Sequence, residues 1–166
     1  TPELVLSEAG QKKFLNHLAR IKEYFGYEDG FLVQSSNNFP HSSGMASSAS
    51  SFAALTRCAV FALSELTQKD ILSVDEQASI SRMGSGSSCR SFYSPWALWK
   101  EDKVSAIELP YHEFIHQVVI INSAKKEVSS SEAHQRVKSS PLYAARSERA
   151  EANLTHLLQA LKSKDW

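Results

Sequence analysis

Amphipathic helical patterns, short apolar runs of strand character and two loops of small residues predict an α+β fold for this 166-residue chain. The helical signal is apolar residues three and four apart, which fall on one face of a helix. The strand signal lies in Phe31–Gln34, in the stretch around Val104–Leu109, and in Val118-Val119-Ile120-Ile121, a continuous apolar run suited to a central place in a sheet. The length suits one domain with a real core.

Residues 11–25 place Phe14, Leu15, Leu18, Ile21 and Phe25 at helical spacing, with Lys12, Lys13, Arg20, Lys22 and Glu23 on the solvated face. Gly26 and Gly30 bracket a turn ahead of the strand at 31–34. Phe52, Leu55, Ala59, Ala62, Leu63 and Leu66 mark a largely buried helix with Glu65 at its wetter end. Ser73 followed by Glu76 has the spacing of a capping box and opens another helix through about Met83. A loop of small residues, Gly84–Ser88, follows. Phe92–Trp99 is aromatic and strand-like, Glu101-Asp102-Lys103 a turn, and Pro110 a surface connection. Residues 129–139 read as a serine-rich loop passing into a short helix. From Pro141, favourable in a first helical turn, Leu142, Ala145, Ala150, Leu154, Leu157, Leu158 and Leu161 describe a long amphipathic helix to about Lys162.

Composition excludes several classes of function. Eighteen basic residues balance eighteen acidic ones, which argues against nucleic acid or an anionic membrane as the main partner. No apolar run approaches a membrane span and no signal peptide is visible. Two cysteines without a CxxC pair suit a reduced, cytoplasmic setting. No histidine spacing resembles a zinc site, and no G-x-S-x-G elbow supports a serine hydrolase.

The chemistry lies in the loops. Residues 37–51 form a run of small residues, kinked by Pro40 and freed by Gly44, that enters the apolar helix without a gap. The first turn of a helix has N–H groups without intrahelical partners and carries partial positive charge. Small side chains let a phosphate approach that backbone, and the Ser47 and Ser48 hydroxyls add donors. Neither a Walker loop nor a G-x-G-x-x-G motif occurs. In the second loop, Arg90 directly follows small residues that leave its planar guanidinium free to grip a carboxylate or phosphate. Composition alone describes the first loop equally well as a flexible connector, and spacing alone favours a surface arginine at Arg90.

Three stretches carry a resemblance. Pro40-x-x-x-Gly44-Met45-x-Ser47-Ser48-Ala49 resembles the phosphate motif of the GHMP family of small-molecule kinases. With Asn37-Asn38-Phe39 ahead of it, with Ser81-Arg82-Met83-Gly84-Ser85-Gly86-Ser87-Ser88-Cys89-Arg90-Ser91, and with Ser139-Ser140-Pro141-Leu142-Tyr143, the chain is similar to the mevalonate diphosphate decarboxylase family over roughly residues 31–165. The resemblance implies a GHMP N-terminal-domain architecture, like ribosomal protein S5 domain 2, with helices on one side of a mixed sheet that is incomplete as given. It also implies ATP with Mg2+ as cofactors, mevalonate diphosphate as substrate, decarboxylation to isopentenyl diphosphate, and the homodimer common among family members.

Residue by residue, the resemblance implies ATP contacts from Ser36, Gly44, Met45, Ser47 and Ser48. It assigns the substrate diphosphate to Ser85 and Ser87, and a catalytic contact to Arg90 at the carboxylate and diphosphate end. A further arginine contact falls near 134–138, where Arg136 is the chosen stand-in and His134 the competing register. The family's lysine- and tyrosine-bearing N-terminal strand and its catalytic aspartate have no match, and Ser94-Pro95 replaces two glycines. Residues 1–166 are therefore expected to be the central or N-terminal part of a GHMP-type domain, with 141–166 a helix leading toward an absent C-terminal domain. The rival functions are a kinase of the same family, acting on mevalonate or a phosphomevalonate, and a fragment that binds nucleotide without turnover.

Overall fold

The computed structural model describes residues 6–39, 45–111, 113–119, 128 and 130–165. Expectations for Pro40–Gly44 and for Ile120-Ile121 fall outside the described residues. The chain divides into two compact units, Thr1–Ile107 and Glu108–Trp166.

The first unit contains helices α1 (Glu8–Phe25), α2 (Ser47–Thr67) and α3 (Val74–Gly84), a 3-10 turn at Ser88–Phe92, and strands β1 (Trp96–Lys100) and β2 (Lys103–Ile107). Ser7 caps α1 by accepting from the Gly10 N–H, and Gly26 closes it in the left-handed conformation at φ 63°. The expected capping box on α3 is present, with Ser73 and Glu76 each satisfying the other's backbone. Leu18, Ile21 and Phe25 of α1 meet Leu55, Ala59, Val60 and Leu63 of α2, and Leu72 closes the cluster. Each such large side chain contributes roughly 1.5–3 kcal/mol when fully buried.

The buried face of α2 differs slightly from the sequence expectation. Ala49, Ala53, Thr56 and Val60 join it, while Leu66 is 55% exposed. By length and composition α2 could cross a bilayer, contrary to the expectation that no run came close. Leu55, Ala59, Val60 and Leu63 are buried in the core cluster, as in a core helix, while Phe61 and Leu66 are exposed.

The α+β class holds, with a small sheet. β1 and β2 pair antiparallel, Trp96 opposite Ile107 and Lys100 opposite Lys103. The parallel pairing that a mixed sheet requires does not occur among the described residues. Residues 31–34 form no strand and Leu32 is 90% exposed, so this expected element is corrected: a strand forms only where a partner takes its N–H and C=O groups. Val118 and Val119 are likewise not in a strand. Phe92 belongs to the 3-10 turn, and the cis peptide Ser94-Pro95 leads into β1. The hairpin is tied to α3 by Arg82, which pairs with Asp102 at 2.9 Å and covers the Trp99 ring at 4.9 Å.

The second unit holds α4 (Ser130–Arg136), two short 3-10 turns, and α5 (Arg146–Ser163). The long helix expected from Pro141 begins later. Pro141–Tyr143 is a separate 3-10 turn, and Ala145 at φ 55° starts α5. Leu157 on α5 is 54% exposed, and none of the helix's residues is buried.

Candidate functional site

The two serine loops, 37 residues apart in sequence, meet in space. The Ser48 hydroxyl, in the first turn of α2, lies 3.5 Å from that of Ser85, the residue after α3. One turn along α2, on the same face, Phe52 lies against Gly84; a Cβ built on this glycine would come within 2.2 Å of the ring.

The start of α2 is left open. Ala46 occupies the N-cap in the left-handed conformation at φ 55°, with no side-chain cap and no acidic residue in the first turn. The Ala46 carbonyl accepts from the N–H groups of Ala49 and Ser50, and the Ser50 hydroxyl donates to the Ser47 carbonyl. Of the residues expected at the nucleotide, Ser47 is half-buried and Ser48 exposed at this open end, with half-buried Met45 just ahead of it. Gly44 lies outside the described residues. Ser36 is exposed in the irregular segment after Phe31, and among the described residues no hydrogen bond joins it to α2.

The second loop is held by its own hydrogen bonds. The Ser85 N–H donates to the Ser81 carbonyl, and the Ser85 carbonyl accepts from both the backbone N–H and the hydroxyl of Ser88. Ser81, fully buried, donates its hydroxyl to that of Ser88 at 2.6 Å. With its backbone engaged in this way, Ser85 keeps its hydroxyl for Ser48 or a ligand. Ser87 is half-buried, and its carbonyl accepts from the Arg90 N–H. Arg90 is exposed within the 3-10 turn, and its guanidinium makes no ion pair among the described residues. Tyr93 anchors the end of that turn by donating to Asp75 in the first turn of α3. Burial, reinforced by that hydrogen bond, pushes the Tyr93 phenol up to about 12.

Arg136 is described within its own unit. It lies in the second unit and pairs with Glu132 one turn back on α4, as an exposed helix-surface pair does. His134 is exposed on the same helix.

Behind α2 lies a buried histidine that spacing did not single out. The Thr56 hydroxyl donates to the Phe52 carbonyl at 2.7 Å, so its oxygen must accept from His17 Nε2–H at 2.8 Å. His17 Nδ1 is thus a buried acceptor without a partner. Burial, with smaller contributions from the charges of Arg20 and Lys13, pulls this imidazole down to about 4. Its ring meets Phe52 edge-on at 5.1 Å. The detectable signal was the i, i+4 spacing of Ser48, Phe52 and Thr56; their partners lie far along the chain.

Fold and loops together define an α+β domain of the GHMP N-terminal type. The family model for the diphosphomevalonate decarboxylase-like N-terminal domain matches residues 4–107, and the chain belongs to that family. A solved mevalonate diphosphate decarboxylase from Legionella pneumophila is similar at 67% identity and a TM-score of 0.93, covering all of this chain and 53% of its own. A diphosphomevalonate decarboxylase of Gibberella zeae is 36% identical over 81% of this chain and 37% of its own length. One from Ganoderma lucidum is 34% identical over 81% of this chain and 35% of its own. The chain therefore spans about a third of these curated relatives and about half of the solved chain.

Proposed function

We propose that this chain is the phosphate-binding part of an ATP-dependent mevalonate diphosphate decarboxylase of isoprenoid biosynthesis. The observation that carries the proposal is the meeting of Ser48 and Ser85 at an uncapped helix start, in a chain of this family. The open α2 end suits a terminal phosphate, with Ser47 and Ser48 as added donors and Gly44, Met45 and Ser36 along the nucleotide. Ser85 and Ser87 then hold the substrate diphosphate. Arg90, free of ion pairs among the described residues, reaches its carboxylate end, and Arg136 is proposed as a second arginine contact once released from Glu132.

In the proposed reaction the tertiary hydroxyl of mevalonate diphosphate becomes a phosphate ester, which makes it a good leaving group. Loss of that phosphate leaves the carbon electron-deficient, and carbon dioxide departs as the double bond forms, giving isopentenyl diphosphate, ADP and phosphate. This chain's residues hold and orient the charged groups, which stabilises developing charge. Mg2+ bound with ATP would neutralise the nucleotide phosphates; among the described residues no group of three or more His, Cys, Asp or Glu is placed to hold a metal. Homodimerisation and a cytoplasmic setting belong to the same proposal, the latter supported by the free thiols of Cys58 and Cys89. So does the reading of residues 1–166 as part of a GHMP-type domain, with 141–166 leading toward a C-terminal domain.

The test is release of carbon dioxide and ADP from mevalonate diphosphate plus ATP, by this chain and by the longest product of its gene. Equal release of both by the longer product supports the proposal. ADP without carbon dioxide makes the protein a kinase, and nucleotide binding without turnover in both makes it a binding module. Arg90→Ala is expected to lower decarboxylation by roughly a hundredfold or more while leaving ATP affinity within a few fold.

A further inference from the structure

We propose that the Phe52–Gly84 contact is a positioning device, a fixed stop that sets the spacing between the start of α2 and the second serine loop. It rests on the reading of Ser48 and Ser85 as phosphate donors. The two contacts are paired: Ser48 and Phe52 are four residues apart on one face of α2, and they meet the consecutive residues Ser85 and Gly84.

The ring is hemmed in by its neighbours. Phe52 is 6% exposed, tilted against Phe14 at 5.9 Å, met edge-on by His17 at 5.1 Å, and overlain by the Lys13 ammonium at 5.5 Å. His17 is in turn fixed by Thr56. On the other side, a Cβ at Gly84 would approach Cδ1, Cε1 and Cγ of the ring at 2.2, 2.7 and 2.8 Å, all closer than real contacts allow. Since the ring is wedged, the loop must move, carrying the Ser85 hydroxyl away from Ser48. A displacement of about 1 Å in a reacting geometry costs up to ~100-fold in rate. Phe52 and Gly84 thereby act through Ser48 and Ser85 and need touch no ligand.

The experiment uses the full-length gene product with two independent readouts. In a Cys58→Ser background, Ser48→Cys with Ser85→Cys reports loop spacing by the rate of disulfide formation with oxidised glutathione as the oxidant, whatever the protein's activity. Gly84→Ala is expected to slow that cross-link at least tenfold, and Phe52→Leu added to it to recover most of the rate, because the smaller side chain restores room. With both serines intact, Gly84→Ala should raise KM for the diphosphate and lower kcat together, and the Phe52→Leu, Gly84→Ala pair should recover both. Unchanged cross-linking in Gly84→Ala overturns the proposal, as does a pair that refolds without recovering the cross-link. Should Gly84→Ala not fold, Phe52→Leu alone demands no space and is expected to slow cross-linking severalfold; an unchanged rate there overturns the proposal. Cross-linking that responds as expected in a protein with no decarboxylase activity would uphold the spacing device and reject the proposed function.

Discussion

The N-termini of α2 and α3 both carry serine, and they are finished in opposite ways. At α3, Ser73 and Glu76 satisfy each other's backbone, and Asp75 and Glu76 set negative charge against the helix dipole. At α2, Ala46 takes the N-cap without a side chain able to cap, and the first turn carries no acid. A helix that completes its own end has structural serines. One that leaves its end open keeps its partial positive charge unopposed, and Ser85 of the second loop, which the Ser81–Ser88 hydrogen bond braces, meets Ser48 there.

The sharpest way to break the contrast is to give α2 what α3 has. Ser48→Asp is expected to weaken ATP binding by roughly a hundredfold, about 3 kcal/mol, because the carboxylate takes the place of the phosphate. Thermal stability should stay level or rise by about 0.5 kcal/mol, since the acid complements the dipole. Calorimetric titration and melting together check this; a loss of binding through unfolding would show in the melt.

A comparable effect, on stability instead of binding, comes from the support behind α2. His17 is held at about 4, below its ordinary 6.5, so the unfolded chain takes up a proton between those values and the folded chain does not. Stability is therefore complete above about pH 6.5, declines as pH falls toward 4, and is not lost further through this group below that. The full loss is at most about 3 kcal/mol. Denaturant unfolding at pH 7 and pH 4.5 measures it, and His17→Leu should flatten the difference.

The smallest effect belongs to the closed end. Ser73→Ala is expected to cost about 1 kcal/mol of stability and leave ATP affinity unchanged. The Glu76 carboxyl, held below its ordinary value mainly by the Ser73 hydroxyl, makes the cap weaken as pH falls through the acidic range. If Ser73→Ala altered nucleotide binding as Ser48→Asp should, the distinction between the two helix ends would fail.

Local periodicity and caps revealed α1, most of α2, the Ser73–Glu76 box and the turn at Glu101-Asp102, because each is decided by residues within one or two turns of one another. The loops at 45–48 and 84–90 were legible as small-residue segments and by their likeness to family motifs. Other features were not legible locally. Phe31–Gln34 has strand composition, yet pairing depends on a partner elsewhere in the chain. Leu66 fits the apolar period of α2 yet is 55% exposed, while Leu63 one turn back is fully buried. Arg136 has the right chemistry, and its described contact is Glu132 on its own helix.

By itself the sequence determined most of α1 and α2, the capped start of α3, and which residues bear donors for an oxyanion, though not where α5 begins. Only the tertiary structure decided that Ser48 faces Ser85, that Phe52 fills the space a side chain at Gly84 would need, and that His17 is buried without a partner for Nδ1. The reason is range: caps and periodicity are written in contacts between near neighbours, whereas the crossing of α1, α2 and α3 depends on how whole apolar faces fit together.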